Sequence, residues 1–237
     1  MKKLLIIIIT FWLLLGLNYE ASAWINVANY GDTGWQTCTY TAGAAGFTGT
    51  VGFVVSNVKD TGAYPELLLD NLSQGGGENN RGFEDGLAGY TLTIDSIGES
   101  FGNVSESVTA NSYTTYTPTE GSFFADLQGL STGVDTSQFS NASGEAGTVG
   151  SILETAITLE PGAQFSFDWA FLANDKSPWK DFALFYLKDQ SGTVVFSVGL
   201  AQIAAAPAAP IHAMVLLLGT CLFGLVSLSW RGKRQGG

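Results

Sequence analysis

The strongest constraint on the fold is the segment 165–171, in which large aromatic residues occupy every second position. Successive side chains of a β-strand point to opposite faces of the sheet, so a strand here carries four rings on one face. The alternative, an exposed platform that stacks on sugars, needs fewer large rings in register. We therefore expect the rings to form the core of a β-sandwich. The four residues are Phe165, Phe167, Trp169 and Phe171.

Strand-like segments recur through residues 24–206, separated by clusters of Gly, Asn, Asp and Ser. This pattern, without any long Ala/Leu/Glu/Lys stretch, is typical of an all-β, antiparallel sandwich. We expect a turn-rich loop at 75–80, which is also the best candidate for an internal boundary. Strands are predicted at 35–40, 50–56, 66–70, 90–96, 107–116, 123–127, 155–159, 164–172, 182–188 and 193–199.

The segments 49–70 and 162–187 form a weak internal repeat. Each reads as Gly, an alternating strand, a loop with Asn and Asp, then Pro, an acidic residue and an apolar strand. Each copy predicts a strand–loop–strand unit of the sandwich. The match is short, and chance similarity is the alternative.

Both ends of the chain predict export. Residues 1–23 combine a basic start, an apolar stretch over 4–17 and an Ala-Ser-Ala ending, which together indicate a secretory signal peptide. The alternative is an uncleaved signal anchor, against which the Ala-Ser-Ala ending argues. Export places the segment that begins at Trp24 outside the cytoplasm.

The C-terminal part predicts a membrane anchor. After a Pro/Ala linker at 204–210, residues 211–230 contain no Asp, Glu, Lys or Arg. As a helix, 20 residues span about 30 Å, the thickness of the hydrocarbon core of a bilayer. The basic segment 231–237 then belongs on the cytoplasmic side.

Charge and residue types exclude several functions. Residues 24–206 contain five basic and 20 acidic residues, a net charge of −15. Such a surface repels nucleic acid and attracts divalent cations. The single histidine, His212, lies in the apolar span, so the exported part has no Ser-His-Asp, Cys-His or HExxH arrangement. We predict that the protein is not an enzyme.

The two cysteines, Cys38 and Cys221, fall in the exported part and in the span, and so cannot pair with each other. We expect Cys38 to be a buried small apolar residue, with an intermolecular bridge or lipidation as the alternatives.

The tail from Ala209 resembles the PEP-CTERM class of sorting signals, with prolines, a Leu/Gly-rich span and a basic end. The resemblance implies recognition by an exosortase, a membrane cysteine protease, and transfer to the cell surface or extracellular matrix. The chain has no Pro-Glu-Pro, and a plain stop-transfer anchor is the alternative. The residues that match the signal are Pro207, Pro210, Arg231, Lys233 and Arg234.

The exported part resembles carbohydrate-binding-like jelly rolls over roughly residues 80–200. The segment 82–90 (GFEDGLAGY) looks like their opening turn, and the segments 118–125, 165–172 and 181–185 look like their later strands. The resemblance implies a sandwich domain over 76–203, preceded by a β segment or half-domain over 24–75.

The same resemblance implies a structural calcium ion held by Glu84 of the opening turn, with Asp70, Asp181 or Asp189 as partners. A second acidic cluster contains Asp168, Asn174, Asp175 and Asp181, and carboxylates near turns suit calcium. The alternative is that these side chains are solvated loop charges. The candidate ligands of Ca²⁺ are therefore Glu84, Asp70, Asp168, Asp175 and Asp181.

Together these features predict an exported surface or matrix protein with a structural or glycan-contact role. Its expected partners are an exosortase-type protease, the membrane and an extracellular polysaccharide. A calcium-dependent carbohydrate-binding module is the alternative. A glycoside hydrolase needs two carboxylates across a cleft, and about 180 residues with few long loops leave little room for one.

Overall fold

A computed structural model describes residues 24–74 and 82–204 of the chain. The chain divides into a compact unit that ends at Ala204 and a second unit, 205–237, which lies outside the described residues. The predicted signal peptide, the 75–80 loop, the membrane span and the basic tail also lie outside them. Between residues 24 and 204, the described segments include no helix long and apolar enough to cross a membrane.

The described residues form an all-β structure of 14 strands. Its long strands are rich in Val, Phe, Leu, Thr and Tyr, which fit a pleated, half-buried surface. The strands are β1 (Ile25–Val27), β2 (Gln36–Thr41), β3 (Phe47–Ser56), β4 (Glu66–Gln74), β5 (Thr91–Leu92), β6 (Phe101–Ser105), β7 (Val108–Thr109), β8 (Thr115–Tyr116), β9 (Phe124–Gln128), β10 (Val134–Asp135), β11 (Val149–Leu159), β12 (Gln164–Leu172), β13 (Phe182–Asp189) and β14 (Val194–Ile203).

The long strands form two sheets. Sheet A has the order β1-β14-β13-β3-β11-β10, with β5 also paired to β11, and sheet B has the order β2-β12-β4-β9-β6. All neighbours are antiparallel except β1 and β14, which run parallel with Val27 opposite Ile203. A separate hairpin, β7–β8, covers part of the outer face of sheet B with Ala110 and Tyr116.

The main core lies between the two sheets and confirms the interpretation of the 165–171 alternation. All four aromatic side chains of β12 are buried in this core. The ring of Phe167 meets Phe53 of sheet A edge to face, with centroids 4.9 Å apart. Phe185 lies 5.1 Å from Phe167, so rings from both sheets interlock.

The two copies of the internal repeat pair with each other. The first copy supplies β3 and β4, and the second supplies β12 and β13. In sheet A β3 pairs with β13, and in sheet B β4 pairs with β12. Each copy is thus a strand–loop–strand unit that crosses between the sheets, as predicted.

Several strand predictions need correction. The segment 107–116 is not one strand but a hairpin of two short strands, because a turn with Tyr113 at φ 66° interrupts it. The segment 90–96 contains only the two residues of β5, while β11 begins six residues earlier than the predicted 155. Strands β1, β6 and β10 were not predicted, because they are short and show no clear alternation.

On the outer face of sheet A, Tyr186 reaches across Gly52 to Glu154. The three residues lie side by side on β13, β3 and β11. The Tyr186 hydroxyl donates to Glu154 Oε1 at 2.5 Å, and Lys188 Nζ donates to the same oxygen at 2.6 Å. A side chain at Gly52 would overlap the tyrosine ring. The glycine is therefore required for this cross-strand contact.

Candidate functional site

The loops of the two repeat copies meet at one end of the sandwich. Residues 57–65 join β3 to β4, and residues 173–181 join β12 to β13. In the antiparallel register Ser56 lies opposite Phe182, and the first residue of β4 lies opposite the last residue of β12. Both loops therefore leave the sheets at the same end. We call these two loops the loop end.

Three aspartates of the loop end carry unusual carboxylates. Asp181 is fully buried; its Oδ1 accepts a hydrogen bond from Val58 N at 2.9 Å, while its Oδ2 has no partner among the described residues. Asp60 Oδ1 is likewise buried, with no partner in the described part of the chain. Asp175 is also buried, and its Oδ1 accepts from Lys176 N at 2.7 Å.

The charges of these carboxylates act on one another. Burial, and to a smaller extent the charges of Asp60 and Asp175, raise the pKa of Asp181 to about 8 in spite of the hydrogen bond from Val58. Burial, and then the charge of Asp175, also raise the pKa of Asp60. The three side chains thus form one aspartate cluster, in which the charge of Asp175 disfavours ionisation of both Asp60 and Asp181.

The nearby lysines do not neutralise the cluster. Lys59 and Lys180 are adjacent in sequence to two of the aspartates, yet both pair with Glu145, Lys180 at 3.0 Å. Hydrogen bonds from these two lysines lower the pKa of Glu145 to about 2. The remaining ion pair of the described residues joins Lys188 to Glu154 in sheet A. Within those residues the aspartate cluster is therefore without a paired cation.

Asn174 connects the loop end to its neighbours. Its Nδ2 donates to the backbone oxygen of Tyr64 and to Glu66 Oε1, both at 2.8 Å. Its Oδ1 accepts from Asn111 Nδ2 at 2.8 Å, which joins the tip of the β7–β8 hairpin to the same place. One amide thus positions three separate segments around the loop end.

Three exposed tyrosines lie in the segments that hydrogen-bond to Asn174 or to its neighbour Asp175. Tyr30, Tyr64 and Tyr113 expose 44%, 37% and 91% of their surface. Tyr30 N donates to Asp175 O at 2.9 Å, and Tyr113 lies in the same hairpin turn as Asn111. Tyr30 and Tyr113 have left-handed φ angles of 55° and 66°. Such conformations are unfavourable for tyrosine and concentrate at functional sites.

A second acidic pair lies beside Asn174 on the outer face of sheet B. Burial, and then the charge of Asp126, raise the pKa of Glu66 to about 7. Burial raises the pKa of Asp126 to about 6, and its Oδ1 has no partner within residues 24–74 and 82–204. Both groups hold their protons well above the pH at which exposed carboxyls lose them.

Of the five predicted calcium ligands, only Asp175 and Asp181 come together at the loop end. Asp70 and Asp168 are neighbours on β4 and β12, where the Thr119 hydroxyl donates to Asp70 Oδ2 at 3.0 Å and to Asp168 Oδ2 at 2.8 Å. Asp70 also accepts from backbone N–H groups, including Thr119 N at 2.5 Å. Its oxygens are thus occupied by protein donors.

Glu84 stands apart from both places and holds a turn. Its Oε1 accepts from Ser122 N at 2.7 Å and from Phe123 N at 3.0 Å. Asp70 and Glu84 thereby fix the two halves of the segment 119–123. Asp189 lies in the β13–β14 hairpin, where it accepts from Thr193 N at 2.9 Å. The predicted sorting residues Pro207, Pro210, Arg231, Lys233 and Arg234 lie outside the described residues.

Sequence reasoning missed Asp60, although the repeat offered a signal for it. Asn57 to Asp60 occupy the first loop where Asn174 and Asp175 occupy the second. Two copies that pair strand by strand bring their loops to one end, so Asp60 should have been grouped with Asp175. Within residues 24–74 and 82–204, however, no three Asp, Glu, His or Cys side chains already form a complete set of metal ligands.

Comparison of the chain with protein-family models, curated proteins and solved structures gave no match.

Proposed function

We propose that the protein is an exported surface or extracellular-matrix component, membrane-anchored or sorted by an exosortase, with a structural or glycan-contact role. Export and anchoring rest on the features of residues 1–23, 211–230 and 231–237. The two-sheet, all-β structure of the described residues is compatible with the jelly-roll fold implied by the resemblance. In this proposal the domain binds or supports, and catalyses no reaction.

The loop end is the observation that carries the glycan-contact role. Exposed tyrosine rings offer apolar faces on which the C–H faces of sugars stack, and each ring brings a hydroxyl that can hydrogen-bond. Asn174 places Tyr64 beside the hairpin that bears Tyr113. Loops that a rigid sandwich holds in place are the usual position of binding residues.

A calcium-dependent carbohydrate-binding module is the second candidate. The buried, unpartnered oxygens of Asp60 and Asp181 lie in the same loops as Tyr64 and Asn174, and they favour this form of the proposal.

Cell fractionation tests the export half of the proposal. An antibody against the domain should find a full-length membrane form and, if the tail is processed, a shorter form at the surface or in the matrix. Replacement of Pro207 and Pro210 by Ala, or loss of the exosortase, should shift the protein towards the full-length form. Accumulation of the intact chain in the cytoplasm would refute export.

Co-sedimentation with matrix polysaccharide from the host tests the glycan contact. The full-length chain should bind, and Tyr64→Ala and Tyr113→Ala should each weaken binding. Val195→Ala is the control, because Val195 is 55% exposed at the start of β14, away from the loop end. Equal loss in all three variants would mean that the tyrosines do not form the contact surface.

A further inference from the structure

We propose that the loop end binds a divalent cation, with calcium as the best fit, between the carboxylates of Asp60, Asp175 and Asp181. The site joins the two copies of the internal repeat, because Asp60 belongs to the first loop and the other two aspartates to the second. It keeps Asp175 and Asp181 of the five predicted calcium ligands, and it has Asp60 in place of Glu84, Asp70 and Asp168. It rests on the second candidate function, the calcium-dependent module, and names the ligands of its ion, so the binding test needs no glycan.

The first argument is the concentration of unmet oxygens. Four buried side-chain oxygens lack a hydrogen-bond partner among the described residues. Three of them belong to the loop end, namely Asn57 Oδ1, Asp60 Oδ1 and Asp181 Oδ2. Buried polar groups are nearly always satisfied, and an ion is one of the few explanations for a group that the protein leaves unpaired.

The second argument is the missing positive charge. A buried carboxylate requires a partner, and Asp181 is fully buried beside two other acids. The lysines next to Asp60 and Asp181 in sequence are both held by Glu145. A bound divalent cation would supply the positive charge that these lysines do not provide. Its attraction for the three carboxylates would offset the repulsion among them.

The third argument concerns which ion fits. Calcium accepts six to eight oxygens in flexible geometry and uses carboxylates, carbonyls and water together, whereas magnesium demands a tight octahedron. The three side chains do not converge as a finished ligand set. The proposal therefore includes a rotation of the Asp60 or Asp175 side chain towards a common centre, with backbone carbonyls and water completing the shell.

The rival positions are less suited to a cation. Glu84 Oε1 already accepts two backbone hydrogen bonds. Asp70 accepts four, from Asn71 N, Thr119 N, Glu120 N and the Thr119 hydroxyl. A cation at either place would have to displace hydrogen-bond donors of the protein. At Asp181 it would bind an oxygen that accepts no hydrogen bond from the described residues.

The experiment measures binding of calcium, and of terbium as its luminescent substitute, to the full-length chain after treatment with chelator. Trp179 lies two residues before Asp181 and should sensitise bound terbium. Calcium should displace terbium and raise the thermal midpoint, and magnesium should do less. Asp181→Asn and Asp60→Asn should each weaken binding roughly tenfold or more, because each removes one ligand charge.

Glu84→Gln is the matched control and should bind calcium like the wild type. Asp181→Asn also separates loss of the site from loss of the fold. Since it removes a buried charge, its thermal midpoint in chelator should equal or exceed that of the wild type, yet calcium should no longer raise it. The proposal is overturned if millimolar calcium does not bind, if Glu84→Gln abolishes binding, or if Asp181→Asn binds with wild-type affinity.

Discussion

Substitution of Gly52 by Ala tests the contact of Tyr186 with Glu154 across β3. The added methyl group would overlap the Tyr186 ring, which is fully buried and must move away. Overpacking of this kind costs about 1–3 kcal/mol. If the Tyr186 hydroxyl also loses its hydrogen bond to the charged acceptor Glu154, the stability falls by about a further 1.5–3 kcal/mol.

Part of this loss is offset, because alanine restricts the unfolded chain and contributes about 0.4–1 kcal/mol in favour of folding. We therefore expect Gly52→Ala to lower the free energy of unfolding by about 2–5 kcal/mol. With a slope of about 2 kcal/mol per M of urea, the midpoint falls by about 1–2.5 M. Tryptophan fluorescence of the full-length chain in urea measures it.

Two variants make the test specific. Gly62→Ala is the matched control, because a methyl group there meets no atom within 4 Å and the backbone is outside the left-handed region. Tyr186→Phe removes only the hydroxyl, so in combination with Gly52→Ala it should cost less than the sum of the two single changes. A Gly52→Ala midpoint within error of the Gly62→Ala midpoint would refute the reasoning.

Three further predictions follow from the buried carboxyls and the thiol. The pKa values of Glu66 and Asp126 are raised in the fold, so their contribution to stability is complete below pH 4 and disappears as pH rises through 6 and 7. Urea unfolding in the presence of chelator should therefore show a higher free energy of unfolding at pH 5 than at pH 8, and Glu66→Gln should reduce the difference. Asp70→Asn should lose about 1–3 kcal/mol, because one amide cannot accept all the donors that Asp70 holds, whereas Glu106→Gln, an exposed control, should change the midpoint little. Burial raises the pKa of the Cys38 thiol to about 11, so this thiol should react slowly with iodoacetamide at pH 7.5 until urea is added. The test uses a chain whose other cysteine is replaced by Ser, and rapid labelling of the folded chain would contradict the prediction.

The long strands were predictable from sequence because their alternation is strong. The predicted bounds of the strand at 164–172 match those of β12, and its four rings are buried as expected. Short strands such as β1 and β10 have too few residues to show a period, and they exist only because a neighbouring strand offers its backbone groups. The hairpin within 107–116 was missed because its residues alone do not reveal the left-handed turn.

The candidate site was only partly predictable, because it depends on pairing between distant segments. The sequence marks Asp175 and Asp181 as loop acids, but 115 positions separate Asp60 from Asp175, and only the weak internal repeat relates their two loops. Nor does composition distinguish Asp181, which is buried, from acids held by backbone donors such as Glu84. That distinction depends on which N–H groups the fold brings within reach.

The parallel pairing of β1 with β14 has a mechanical consequence. When a tension at Ala204 acts along the axis of β14, it loads two ladders at once, because β14 is held on one side by β13 and on the other by β1. To slide β14 out, the hydrogen bonds of both ladders must break together, rather than one after another as in the peeling of a hairpin from its open end. A pull along this strand therefore loads the sheet in shear, the direction in which a β-sheet resists extension best.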